Sequence, residues 1–258
     1  MSDVPEAAAA PPVEPVAAAA ALFGAQLGVA RQFVVHLATS AVMRGLIGPR
    51  EVPRLWERHL LNCASIAELI APGATAVDVG SGAGLPGVAV AIARPDVEVT
   101  LVEPLQRRVA WLEEVVSDLR LGNVHILRGR AEEVRGQLVV DVAMARAVAA
   151  LPVLAGWCLP LVRPGGELLA LKGRSAEGEL ADSADKLAAL GATGWRIVSC
   201  GVGILEEPTT VVAVTSGRSA GMAKAAKRPS PSSKRATPSR RRPGPEAGGP
   251  RKGARRSG

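Results

Sequence analysis

The sequence contains few of the residues on which several functional classes depend. It has no tyrosine, two phenylalanines and four tryptophans among 258 residues. This scarcity disfavours a pocket that encloses a small apolar substrate between aromatic side chains. The three cysteines, Cys63, Cys158 and Cys200, are far apart and odd in number. They form neither a zinc-binding spacing nor a disulfide framework, which favours buried thiols in a reducing compartment.

The sequence also lacks a continuous apolar run near the ~20 residues that a membrane-spanning helix requires. Its first residues carry Asp3 and Glu6 and are interrupted by prolines, instead of opening with a basic region. A secretory signal peptide is therefore not expected. Together with the cysteine pattern, these features predict a cytoplasmic protein that does not enter a membrane.

Basic residues are concentrated at the C-terminal end of the chain. Residues 217–258 hold 13 of the 31 Lys and Arg residues but one of the 24 acidic residues, so the net charge of +7 comes from this tail. The tail is rich in Pro, Ser and Gly, cannot bury a core, and is expected to be disordered. Two interpretations stay open: non-specific attraction to RNA phosphates, or a neutral extension.

Apolar spacing divides the rest of the chain into three parts. Residues 1–20 are rich in alanine and proline, and we expect them to be disordered. Residues 21–73 form a helical extension with two predicted helices, over residues 21–44 and 51–70. Residues 74–216 alternate short apolar strands with helices, which predicts a mainly parallel sheet covered on both faces.

The end of the predicted sheet departs from this alternation. Two strands, over residues 195–200 and 209–215, follow each other with no helix between them. A closing hairpin of this kind puts an antiparallel strand in the sheet, which dehydrogenase domains lack. The predicted fold class is therefore α/β: a class I S-adenosylmethionine-dependent methyltransferase, Rossmann-like with a seven-stranded sheet, preceded by a helical extension.

The most informative stretch covers residues 75–87. An apolar strand is followed by Gly80, Gly82, Gly84 and Gly87, and a helix begins near Pro86. Glycine permits positive φ and lets a ligand approach the backbone closely. A strand, a glycine loop and a helix N-terminus together form the cradle in which nucleotide cofactors bind.

Two carboxylates distinguish between the nucleotide cofactors. The glycine spacing matches the dinucleotide fingerprint literally, but that match alone is weak. Asp78 lies two residues before the first glycine, where dehydrogenase strands are usually apolar, and can face the cationic amino-acid end of S-adenosylmethionine. Glu103 ends the next strand, where a carboxylate can accept both ribose hydroxyls of either cofactor. The pair favours S-adenosylmethionine over a nicotinamide dinucleotide.

Further polar residues are predicted at the carboxyl ends of the strands, where ligands of such sheets bind. Ala131 and Glu132 follow the third strand, where the adenine would lie. Arg146 follows the fourth strand and Lys172 the fifth. A basic residue at a strand end can also be a solvated terminus, but convergence on one edge favours a site.

Several motifs together resemble a known family. They are residues 78–87 (DVGSGAGLPG), the Arg58-His59 pair, Glu103 followed by residues 106–109 (QRRV), residues 145–147 (ARA) and residues 171–173 (LKG). The Gly-Leu-Pro-Gly form of the loop and the preceding Arg-His pair are more specific than a generic cofactor loop. Over residues 20–216 the sequence resembles the bacterial small-subunit ribosomal RNA guanine-N7 methyltransferases, also called glucose-inhibited division protein B.

The resemblance implies S-adenosylmethionine-dependent N7-methylation of one specific guanine in 16S ribosomal RNA of the small subunit. It implies cofactor contacts by Gly80, Leu85, Ala131, Glu132 and Arg146, and with Asp78, Gly82 and Glu103 these complete the predicted cofactor set. It implies that Arg58, His59 and Lys172 face the RNA; for His59 the alternative of a structural role within its own helix stays open, since a histidine on a helix is more often structural. The chain departs from the family pattern at Asn62-Cys63, where members often have Asp-Ser, and in its basic tail. We expect a monomer with no metal.

The implied chemistry requires no catalytic residue. Guanine N7 offers an unprotonated lone pair, so no proton has to be removed, and we assign no general base. The sequence shows no Asn/Asp-Pro-Pro-aromatic loop of the kind that amino-group methyltransferases use, and Cys158 lies in an apolar helix. Two other hypotheses stay open: a small-molecule methyltransferase with a capping lid, and a non-catalytic RNA-binding factor with a decayed cofactor site.

Overall fold

Seven strands form one sheet in the computed structural model, which describes residues 11–146 and 149–217. The strands are β1 (Thr75–Val79), β2 (Glu98–Glu103), β3 (Val124–Arg128), β4 (Val140–Arg146), β5 (Val162–Leu171), β6 (Ala192–Cys200) and β7 (Thr209–Ser216). Their order is β3-β2-β1-β4-β5-β7-β6. Strands β1 to β5 pair in parallel, whereas β7 is antiparallel to both of its neighbours. The closing hairpin and the predicted fold class are confirmed.

Helices cover both faces of this sheet because successive strand residues point to opposite sides. Ala76 joins the core on one face, and Val77 joins the core on the other. The first face is covered by the N-terminal helices, α4 (Gly87–Ala93) and α5 (Gln106–Asp118), and the second by α6 (Leu151–Cys158) and α7 (Ala176–Ala189). Ligand-binding groups are therefore confined to the strand ends and to the loops that follow them.

The N-terminal helices begin earlier than predicted. Helix α1 spans Val16–Phe23 and α2 spans Leu27–His36, and the path continues as a π-helical turn over Leu37–Ala41. The expectation of disorder up to residue 20 is thus wrong for its last five residues, because alanine favours helix and Ala19 is fully buried. Residues 1–10 and 218–258, including nearly all of the basic tail, lie outside the described residues.

The second predicted helix, over residues 51–70, is present as a helical path of changing winding. A 3-10 segment, Pro49–Arg54, leads into a π-helical segment, Leu55–Leu61, then α3 (Asn62–Ser65) and a second 3-10 segment, Ile66–Leu69. Pro53 lies in the first of these, where its missing N–H prevents an ordinary helical bond. His59 lies on the buried side of this path, together with the leucines around it.

The stretch Val16–Ala41 is long and apolar enough, by length and composition alone, to cross a membrane, with a mean hydropathy of 1.4 over its most apolar window. The sequence alone had not predicted an apolar segment of this length. Its apolar residues also have a place in the fold, because Ala30, Phe33 and Leu37 are fully buried in the core beneath the sheet.

Gly87 provides a test of this packing. A β-carbon there would overlap Cδ2 of Leu101 and lie 2.7 Å from Oδ2 of Asp78. We expect Gly87→Ala to lower the free energy of unfolding by about 1–3 kcal/mol, the usual effect of overpacking. Urea unfolding followed by circular dichroism measures the change.

Gly28→Ala is the matched control, because Gly28 lies in α2 and a β-carbon added there would meet no atom within 4 Å. It should leave stability unchanged or raise it by up to about 1 kcal/mol. Equal unfolding midpoints for the two variants would contradict the packing described for Gly87.

Candidate functional site

The glycine loop is fixed between the ends of β1 and β2 by its own backbone. The amides of Gly80 and Ser81 both donate to the carbonyl of Val102, at 2.9 and 3.2 Å, and the amide of Gly84 donates to Ser81 at 2.7 Å. Gly80, Gly82 and Gly84 all adopt positive φ, which glycine tolerates without strain. Leu85 follows, half-buried against the core. The loop is thus a rigid turn at the carboxyl edge of the sheet.

Asp78 lies fully buried beneath this loop. Its Oδ2 accepts a hydrogen bond from the amide of Gly87 at 2.9 Å, which holds the start of α4. Its Oδ1 is buried and has no hydrogen-bond partner among the residues that the structure describes. Burial raises the pKa of Asp78 to about 7, although the bond from Gly87 acts in the opposite direction. Asp78 therefore combines a structural contact with one acceptor atom that lacks a partner.

Glu103 connects the loop to the end of β2. It is 1% exposed, and its Oε2 accepts from the amide of Gly82 at 3.0 Å while its Oε1 accepts from the amide of Leu105 at 3.0 Å. Arg108 lies 3.6 Å from the same Oε2. Each carboxylate oxygen keeps a second lone pair, so a hydroxyl donor can still be accepted.

The turn after β3 lies beside Glu103. Strand β3 pairs with β2 so that Arg128 is opposite Glu103, and the amide of Gly129 donates to the Glu103 carbonyl at 3.2 Å. Of the two predicted turn residues, Ala131 is buried and Glu132 is exposed. The structure thus brings the turn to the same edge as the glycine loop, next to the expected ribose position.

Arg146 ends β4 and contacts the N-terminal helices. Its Nη2 lies 2.5 Å from Nδ1 of His59, and its Nη1 lies 3.3 Å from Sγ of Cys63. On the far side of the imidazole, Nε2 of His59 lies 2.7 Å from Oε2 of Glu51. Through these two contacts of His59, the helical extension is joined to the carboxyl edge of the sheet.

The Arg58-His59 pair is divided between the surface and the interior. The Arg58 side chain is 52% exposed, with Nε 3.9 Å from Glu51. His59 is 7% exposed and both of its ring nitrogens have partners, so it does not face outward as predicted for an RNA contact. The interior position agrees with helical spacing, because His59 is four residues after Leu55 and seven before Ile66, which are both fully buried.

Lys172 is also paired within the protein. Its Nζ donates to the carbonyl of Ala149 at 3.1 Å and to Oε1 of Glu179 at 2.9 Å, and its side chain is 13% exposed. The same Oε1 accepts from the amide of Leu151 at 2.6 Å. The RNA contact predicted for Lys172 stays a prediction, and the structure adds that Glu179 on α7 pairs with this lysine at the end of β5.

Sequence reasoning missed three partners of the predicted residues: Glu51, Cys63 as a contact of Arg146, and Glu179. Only Cys63 carried a signal, as a departure from the resembled family at a motif position. Glu51 and Glu179 resemble ordinary helix-surface acids in the sequence. Among residues 11–146 and 149–217, no group of three or more His, Cys, Asp or Glu residues is arranged to hold a metal ion.

The arrangement favours binding and alignment over acid-base chemistry. Buried carboxylates, a glycine loop and a guanidinium meet along the ends of β1, β2 and β4. Burial raises the pKa of the Cys63 thiol beside Arg146, which disfavours a nucleophilic thiolate. Such a site suits the transfer of a group that is already activated in a bound cofactor.

Comparisons with known proteins agree with this geometry. The family model described as rRNA small subunit methyltransferase G matches residues 26–207. Proteins named ribosomal RNA small subunit methyltransferase G are similar to the chain: that of Salinispora arenicola is 55% identical, covering 80% of this chain and 88% of its own. That of Thermobifida fusca is 56% identical, covering 79% and 86%.

A solved structure, mitomycin 7-O-methyltransferase, is similar in fold. It has a TM-score of 0.51 and 20% identity, and the match covers 71% of this chain and 60% of the other. At this identity the likeness concerns the fold alone. The family match over most of the chain and the close relatives carry the assignment: the chain belongs to the rRNA small subunit methyltransferase G family.

Proposed function

We propose that this methyltransferase transfers a methyl group from S-adenosylmethionine to N7 of one guanine in small-subunit ribosomal RNA, in the cytoplasm. The observation that carries the proposal is the glycine loop held between two buried carboxylates, Asp78 and Glu103, at the carboxyl edge of the sheet. The name of the relatives, ribosomal RNA small subunit methyltransferase G, supports the RNA substrate.

The residues of this edge fit S-adenosylmethionine, which when bound supplies an electrophilic methyl group on a sulfonium. The unpartnered Oδ1 of Asp78 can accept from the cofactor's ammonium group, directly or through water. Glu103 can accept ribose hydroxyls with its remaining lone pairs. Ala131 and Glu132 border the adenine position, and Arg146 is a donor for the cofactor's carboxylate.

The reaction needs alignment more than proton transfer. Guanine N7 attacks with a lone pair that carries no proton, so the protein has no base to supply. Its contribution is to hold N7 about 3 Å from the methyl carbon and in line with the breaking bond, an effect that can reach ~7–11 kcal/mol. The rigid glycine loop and the partnered Arg146 serve that alignment.

Two basic residues remain for the RNA. Arg58 is about half exposed beside the site and can bind a phosphate or the guanine O6. Lys172 can bind a phosphate only if its ion pair with Glu179 breaks. RNA binding at this position therefore replaces the Glu179 carboxylate by a phosphate as the partner of the lysine. His59 is not included, because it is buried against Arg146.

The test of this function is methyl transfer to its RNA. Purified enzyme is incubated with labelled S-adenosylmethionine and small ribosomal subunits that lack the modification, and the RNA is digested for nucleoside mass spectrometry. We expect N7-methylguanosine in a single fragment, and no transfer to subunits that already carry it. A different methylated nucleoside, or no transfer by an enzyme that binds the cofactor, would contradict the proposal.

The residue assignments predict separable defects. Arg146→Ala should weaken S-adenosylmethionine binding at least about tenfold, because a charged hydrogen bond is lost. Lys172→Ala should weaken RNA binding and leave cofactor affinity within about twofold. Calorimetry with the cofactor and filter binding with small-subunit RNA measure the two effects.

Lys186→Ala is the matched control, because Lys186 is exposed on α7 near Glu179. It should change neither affinity by more than about twofold. The reverse order, with Lys172→Ala impairing the cofactor and Arg146→Ala impairing the RNA, would reject the assignment.

A further inference from the structure

We infer that His59 is a positioning residue: as a neutral imidazole protonated on Nε2, it holds the guanidinium of Arg146 in place for the cofactor, and Glu51 fixes that tautomer. The inference rests on the proposed function, in which Arg146 binds S-adenosylmethionine. In this role His59 and Glu51 act within the cofactor site, through Arg146, and do not contact the RNA.

The tautomer follows from the donors and acceptors on either side of the ring. Arginine has only N–H donors, so Nδ1 of His59, 2.5 Å from Nη2 of Arg146, must accept and carries no proton. The Glu51 carboxylate only accepts, so Nε2, 2.7 Å away, must donate. The two contacts select one neutral tautomer between a carboxylate and a guanidinium.

The surroundings keep the ring neutral. Burial lowers the pKa of His59 below its ordinary value, and the positive charge of Arg146 on β4 lowers it further. Glu51 acts in the opposite direction through its hydrogen bond and charge, while Arg58 on the same helical segment lowers the pKa again. A proton on Nδ1 would replace an acceptor by a cation facing Arg146 and break the contact.

Arg146 makes two contacts with the helical extension, and the hydrogen bond to Nδ1 of His59 is the stronger one. The other, from Nη1 to Sγ of Cys63 at 3.3 Å, involves sulfur, a weak acceptor. An arginine side chain that is ordered before the cofactor arrives loses less conformational freedom on binding. Removing the imidazole acceptor should therefore weaken cofactor binding even though His59 does not touch the cofactor.

Two substitutions separate the two sides of the ring. His59→Asn places an amide oxygen near the Nδ1 position, so it keeps the acceptor for Arg146 and loses the donor to Glu51. His59→Gln reaches the Nε2 position, so it keeps the donor to Glu51 and loses the acceptor. Calorimetric titration of the full chain with S-adenosylmethionine at neutral pH should give an affinity within about threefold of the unsubstituted protein for Asn, and a loss of about tenfold or more for Gln.

A double-mutant cycle distinguishes positioning from a general structural effect. If His59 acts through Arg146, His59→Gln should cause no further loss of affinity in the Arg146→Ala background. Circular dichroism and thermal unfolding of each variant confirm that it is folded before its affinity is compared.

The outcomes separate this inference from the proposed function. An unsubstituted protein that does not bind S-adenosylmethionine overturns the function and the inference with it. Normal cofactor binding by the unsubstituted protein and by His59→Gln overturns the inference alone. Equal losses for the Asn and Gln variants, or a His59→Gln defect that persists in the Arg146→Ala background, also overturn it.

Discussion

The hydrogen bond from the amide of Gly87 to the buried carboxylate of Asp78 is the contact on which the site depends. It joins the end of β1 to the start of α4 across the glycine loop, in a space that no side chain at Gly87 could share. A carboxylate in this position is costly to bury, and burial raises its pKa to about 7. This unfavourable burial occurs at the edge of the sheet where the proposed cofactor would place a positive charge beside the carboxylate.

The helical extension also contributes side chains to the candidate site. Its residues share the core beneath the sheet with α4 and α5, and through His59 and Cys63 it reaches Arg146 at the end of β4. The N-terminal helices therefore contact Arg146, the residue proposed to bind the cofactor, as well as adding buried area. Glu51, which looks like a surface acid in the sequence, becomes part of this arrangement through His59.

Sequence patterns predicted the sheet and the glycine loop at its carboxyl edge because those features are local. Alternating apolar strands, clustered glycines and a carboxylate at a strand end can be read within a few residues. The pairings of His59 with Arg146 and of Lys172 with Glu179 depend on elements brought together by folding. The early start of α1 was missed because prolines near alanine-rich residues suggested disorder.

Calorimetric titration of the full chain with S-adenosylmethionine slightly below pH 7 tests most directly whether the edge at Asp78 binds the cationic cofactor. With a pKa of about 7, Asp78 is protonated in a large share of the molecules there, and a cation beside it would lower that pKa. Titrations in two buffers of different ionisation enthalpy should reveal one binding site and the release of a proton on binding. The affinity should rise with pH up to neutrality. In Asp78→Asn the proton release should be lost. Binding without proton release, or unchanged release in Asp78→Asn, would contradict the account.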